Sequence, residues 1–196
     1  MNGVKRDEQF SIYKVTNANM LFEGETLAKK FGDTGELEVQ AKTKEINKVA
    51  EGTIVDTKSM IEEMTLKYVG HITREMLRNV FGISTDGLKA GVYSYGANSK
   101  GKKGTLTFDE YDLWETDTLM MAYPVVTIAS GLELKIKNGE DEVAEIELEF
   151  KVLPDKYKNY HYEAFKSELD EALVSEWHIK FDPEKIKETI LDKKGE

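Results

Sequence analysis

Three glutamates spaced two apart, Glu145, Glu147 and Glu149, form the most regular set of chemically capable side chains in the sequence. In the run GEDEVAEIELEFKV, which starts at Gly139, they alternate with Ala144, Ile146, Leu148, Phe150 and Val152. A period of two sends neighbouring side chains to opposite faces of a strand, so one face is apolar and the other carries a row of carboxylates and then Lys151. Like charges on one face weaken a sheet. The row is therefore either an ordinary solvated face or a surface kept for use.

Other constellations with chemical potential are incomplete. Gly96 to Lys103 satisfies GxxxxGK, but Lys103 stands where a magnesium-binding Ser or Thr is required. A phosphate loop also needs a helix directly after it, whereas GTLTF from Gly104 reads as a strand. A flexible basic hairpin loop is the better expectation. His71, His161 and His178 are far apart and in no ligand spacing, so they nominate neither a zinc site nor a triad. Asp109-Glu110-Tyr111-Asp112 lacks the Gly and the closing Glu of a calcium loop. Nothing singles out two carboxylates for a hydrolase pair. The expectation is a protein that is not an enzyme and takes no metal or cofactor.

The elements that must carry these residues come from 196 residues, with 27 Lys and Arg against 37 Asp and Glu and a net charge of −10. That length fits one domain with extended arms. The charge excludes gripping nucleic acid through its backbone, which needs clustered cations, but not proximity to nucleic acid. With no Cys, disulfides and thiolate metal sites are excluded. No apolar run approaches a membrane span or a signal peptide, so the expected setting is cytosol-like, or a place reached by assembly.

Residues 1–9 are polar and read as an arm. Glu36 to Ile46 alternates Leu37, Val39, Ala41 and Thr43 against charged and polar residues, a half-buried strand of unusual length. Asn47 to Ser59, with Gly52 at its centre, reads as a protruding loop or ribbon. Met60 to Val69 is a further strand, with Glu62 as a misfit on its apolar side. Thr73 looks like an N-cap, Met76, Leu77, Val80 and Phe81 make a helical apolar face, and Gly82 supplies the stop. Leu88 to Tyr95, Gly104 to Phe108, Asp112 to Ile128 and Leu132 to Ile136 are further strand candidates. Pro124 implies an edge, bulge or break. Tyr162 to Leu173 reads as a short helix, Val174 to Phe181 as a last strand, and 182–196 as a charged arm. About ten strands, one firm helix and one weaker helix predict a β-dominated single domain over 1–196, of sandwich or barrel type.

The order ELEVQAKTKEI, GTIVDTK, MIEEMTLKYVG and TREMLRNVFGI, over Glu36 to Ile83, resembles the major tail (tail tube) proteins of long-tailed bacteriophages. The resemblance implies a β-sandwich or split barrel with a flanking helix. It also implies hexameric rings that stack into a tube, with strands of all subunits joined in one inner barrel. Glu36 to Ile46 and Met60 to Val69 would be one inner hairpin, Glu142 to Val152 a third inner strand and Met120 to Ile128 a fourth. The ring-stacking loop would be Val49, Ala50, Glu51, Gly52, Thr53, Ile54, Val55, Asp56 and Thr57. Alternation would then place Glu38, Gln40, Lys42, Glu63, Thr65, Lys67, Glu145, Glu147 and Glu149 in the channel.

The same resemblance implies a structural virion protein located in the tail and assembled in the host bacterial cytoplasm. Its partners would be copies of itself, a tape-measure protein, tail-end or baseplate proteins and, in a contractile tail, a sheath protein. DNA would pass in transit without specific binding, and no part would insert into a membrane. Two other readings stay open. One is the inner tube of a contractile bacteriocin or type VI-like injection system. The other, of a different class, is a β-sandwich carbohydrate-binding module using Tyr157, Tyr160, Tyr162 and Trp177. Packing in a core or interface is the favoured role for those aromatics.

Overall fold

Alternate residues of β1, β6 and the inner half of β3 turn inward. The computed structural model describes residues 11–135, 139 and 143–187. Ala18, Met20 and Phe22 of β1 (Ile12–Phe22) lie beside Leu106 and Phe108 of the adjacent β4 (Gly104–Asp112) in one core. Phe31 of β2 (Lys29–Ala50), Met64, Leu66 and Tyr68 of β3 (Thr53–Ile72) and Tyr123 of β5 (Thr118–Ile128) join them. Leu148, Phe150 and Val152 of β6 (Ile146–Val152) complete the set. Burying each such side chain stabilises the fold by about 1.5–3 kcal/mol. Burial also pushes the Tyr68 hydroxyl up to about 12, and that hydroxyl donates to the Asp33 carbonyl over 3.0 Å.

The strand order β4-β1-β2-β3-β6-β5, closed by β4–β5 pairing, makes a six-stranded antiparallel barrel, with β7 (Tyr162–Phe165) added to the far edge of β5. Two seams are thin. β1 meets β2 only at Ala18↔Gly32, Asn19↔Lys30 and Met20↔Lys29, and β5 meets β6 only from Val126↔Val152 to Ile128↔Phe150. The barrel is therefore split, with β2, β3 and β6 on one side and β1, β4, β5 and β7 on the other.

Helix α1 (Arg74–Phe81) is built as its sequence signals: Thr73 accepts from the Met76 amide, and Gly82 ends it at φ 65°. Met76, Leu77, Val80 and Phe81 pack on the core. The C-terminal part departs from expectation. Tyr162–Phe165 is a strand and Lys166–Glu168 a 3-10 turn where a helix was expected, and α2 (Glu171–Trp177) runs from the end of that expected helix into the expected strand from Val174. Asp170 caps α2 by accepting from the Leu173 amide over 2.8 Å. Trp177 and Phe181 then cover Met120 and Ala122 on the outer face of β5.

Leu88 to Tyr95 is loop with one isolated bridge, Ser84↔Ser94, and β5 begins at Thr118 after a turn rather than at Asp112. Residues 132–135 are not strand, and Ile136 lies outside the described residues. Among the described residues seven strands stand where about ten were expected. The expected arm over 1–9 and residues 188–196 of the other lie outside the described residues. In 182–187 the chain is docked, with Ile186 against the α2 cluster and Glu184 paired to Lys156.

Candidate assembly surface

The nine residues assigned to a channel share one face. Cross-strand pairing sets Glu38 beside Lys67 and Lys67 beside Glu149, then Gln40 beside Thr65 and Thr65 beside Lys151, with Lys42 beside Glu63. Since Leu66, Tyr68, Leu148 and Phe150 point into the core, their neighbours in sequence point out of the barrel. Glu147 lies beside Val69, and Glu145, just before β6, rests its carboxylate against Gly35. Glu142, the expected start of this strand, is outside the described residues, and 143–145 precede the strand.

Three more charged residues belong to the face. Lys151 pairs with Glu63 at 2.8 Å, and Glu36 lies near enough to Lys67 to raise it. Glu62, the sequence misfit, is a bulge: Lys42 pairs with Glu63 and Thr43 with Ile61, so Glu62 is the extra residue and turns to Lys42 at 3.2 Å. The face thus holds seven glutamates (36, 38, 62, 63, 145, 147, 149) against three lysines (42, 67, 151). A hydrogen bond from Lys67 to Glu147 raises the lysine, and one from Lys151 lowers Glu63. These exposed pairs hold the row together locally and contribute little to stability.

Below this face the hairpin leaves the barrel. β3 pairs with β6 only from Met64 to Gly70, and β2 with β1 only as far as Gly32. Among the described residues, 43–61 therefore pair only with one another, as a two-stranded ribbon extending about 30 Å at the usual strand rise. The tip is Glu51-Gly52, both at positive φ (50° and 78°), the requirement of a two-residue hairpin turn. Ile46, Val49, Ile54, Val55, Met60 and Ile61 are exposed along it. The stretch expected as a stacking loop, 49–57, is the ribbon's outer end. On β5, only Val126 to Ile128 continue the sheet beyond β6. The outer face at Met120 and Ala122 is covered by α2, so the expected fourth inner strand is open only at its end.

Two polar clusters elsewhere are structural. His178 Nε2 lies 2.8 Å from Asp109 Oδ1 and Nδ1 2.9 Å from Thr107 Oγ1, while Asn17 donates to Asp109 over 2.7 Å. The residue types suit a nucleophilic triad, but Thr107 is buried, and the set ties the end of α2 to β4. The second cluster is at Glu110, whose carboxyl is raised by burial and then by Glu163. A raised folded value gives stability that is complete below the ordinary glutamate pKa and lost as pH rises through the raised one. Glu110→Gln is therefore expected to raise the melting temperature at neutral pH, by about 2–4 °C per kcal/mol relieved. Thermal melts should show the gain vanishing below about pH 4; a gain that persists there would refute the assignment.

Of the aromatics considered for sugar binding, Trp177 is buried and donates to the Met121 carbonyl, Tyr162 packs on Phe181 and Tyr160 on the core. Tyr157 is half-buried, with Lys156 and Lys187 over its ring, so the four do not share one exposed face.

No family model and no curated protein matches this chain. Among solved structures it is similar to the anti-feeding prophage cap, a tube-terminating cap seen by cryo-EM, at a TM-score of 0.42 and 9% identity over 84% of this chain and 97% of that one.

Proposed function

We propose that this chain is a structural subunit that assembles with copies of itself into stacked hexameric rings, forming the tube of a phage tail. The observation that carries the reading is the β2–β3 hairpin, whose outer half, 43–61, has no partner strand on either edge among the described residues. An isolated two-stranded ribbon is at best marginally stable in water, and open edges invite uncontrolled pairing. Closing such strands with those of neighbouring copies removes the edges and buries Ile46, Val49, Ile54 and Val55. The acidic face of β2, β3 and β6 would then line the bore. DNA, with about one phosphate per 1.7 Å of axis, is repelled by such a wall and passes without sticking. No bond is made or broken and no cofactor is needed. Tape-measure and tail-end proteins are the further partners this role requires.

Light scattering at rising concentration, with negative-stain images of the same samples, tests this. Rings and stacked tubes are expected; a protein that stays monomeric at high concentration would end the proposal.

A further inference from the structure

The two ends of β4 carry complementary features. At the C-terminal end the turn of residues 112–117 (DLWETD) projects Trp114, 80% exposed, beside exposed Leu113. On the adjoining start of β1, Ile12 and Tyr13 are exposed as well. The turn is held in shape: Asp112 accepts from the Thr116 amide (2.8 Å) and hydroxyl (2.7 Å), and Lys14 donates to Glu115 over 2.9 Å. A pre-organised projection loses little freedom on docking.

At the N-terminal end of β4, the end of α1 and the loop that follows form a half-open cavity of about 650 Å³. Arg78, Lys100 and Lys102 line it, against Asp86 as the one carboxylate in the lining. Arg78 stacks on Tyr93 at 3.5 Å, and Lys102 is within 3.5 Å of Glu25. Projection and cavity are separated by the nine residues of β4, about 30 Å of strand.

We propose that Trp114 of one copy seats in the basic cavity of a second copy. The cavity has the size of a small-molecule site and admits an indole. Cations are attracted to an indole face, and Trp and Arg are the residue types that dominate hot spots. Asp112, Glu115 and Asp117 on the turn oppose the three cations of the cavity, which sets the orientation of docking. Because knob and cavity are different surfaces at opposite ends of one strand, the contact is head-to-tail, and of the two outcomes such contacts allow, a closed ring or an open stack, the proposal takes the open one. It deepens the tube reading, and rests on it, by naming a second contact between successive rings beside the hairpin ribbon.

The chain has no Cys, so single cysteines report the contact cleanly. Leu113→Cys and Ala97→Cys proteins, mixed and oxidised, should give a 97–113 heterodimer, and the doubly substituted chain a ladder of multimers. Only 113–113 or 97–97 dimers, or no cross-link, would overturn the proposal. Trp114→Ala should keep the parental far-UV spectrum while raising the concentration needed to polymerise about 30-fold; polymerisation at the parental concentration would also overturn it. If tubes form and the 97–113 link does not, the contact alone falls. If the link forms and no rings are ever seen, the tube reading falls and the contact stands.

Discussion

Deleting residues 49–57 should leave the subunit folded and melting near the parental temperature while lowering the yield of tubes by about a hundredfold or more. The deletion joins Lys48 to Lys58, so that Ile46↔Lys58 becomes the last pair of a shorter hairpin closed by Asn47-Lys48. None of the removed residues is buried in the subunit, and a two-stranded ribbon end with no further support is marginal on its own, so its loss costs the barrel little. In the assembly the balance differs. Val49, Ile54 and Val55 are each worth about 1.5–3 kcal/mol if fully buried against a neighbour. Melting curves and negative-stain counts measure the two halves of the prediction separately. Tubes of full length at parental yield would show that the ribbon's outer end makes no ring contact.

Replacing Glu145, Glu147 and Glu149 with Lys should leave tubes intact and make them hold DNA. The change turns seven glutamates and three lysines into four and six on one face. Folding should be little affected, because these side chains are exposed and a solvent-screened pair such as Lys67–Glu147 contributes little. Duplex binding through phosphates releases counterions, so retention should be strong at about 50 mM salt and fall steeply by 200 mM. Parental tubes should retain no DNA at either. Screening confines the field to about 8 Å at physiological salt, so the effect requires a duplex close to the wall. Filter retention in vitro and ejection from assembled particles read it out. Variant tubes that retain no more DNA at low salt than the parent would remove this face from the bore.

The elements legible in the sequence are those whose local signals agree with their tertiary setting. β6 and the inner half of β3 alternate because one face meets the core and the other meets water; β2 alternates in sequence, but of Leu37, Val39, Ala41 and Thr43 only Leu37 reaches the core, because the hairpin leaves the barrel there and the expected half-buried strand is mostly exposed. Helix α1 has cap, apolar face and stop in the expected places. The face of nine residues follows from the same alternation, and Glu36 and Lys151 could have been added from it. Glu62 could not, since a bulge is a property of the pair of strands and leaves no mark in one strand read alone.

The C-terminal part misled for a different reason. VSEWHIKF spaces Val174, Trp177, Ile179 and Phe181 in a way that suits either period, and the cap at Asp170 was the signal to weigh. Likewise Val92, Tyr93 and Tyr95 have high β propensity yet serve a loop, where Tyr93 stacks under Arg78 and Tyr95 meets Phe81. Propensity there reflects side-chain contacts made by tertiary packing.

The two three-pair seams give the barrel mechanical compliance. Its halves are joined by few hydrogen bonds along two lines, whereas the β2–β3 ladder runs from Gly32↔Ile72 to Ala50↔Thr53. A bending load carried through the long hairpin would be absorbed by slight rotation of one half against the other, with the aromatic interior as the bearing. Within the closed barrel, leaving aside the ribbon 43–61, amide exchange should accordingly be fastest at 29–32 and 126–128.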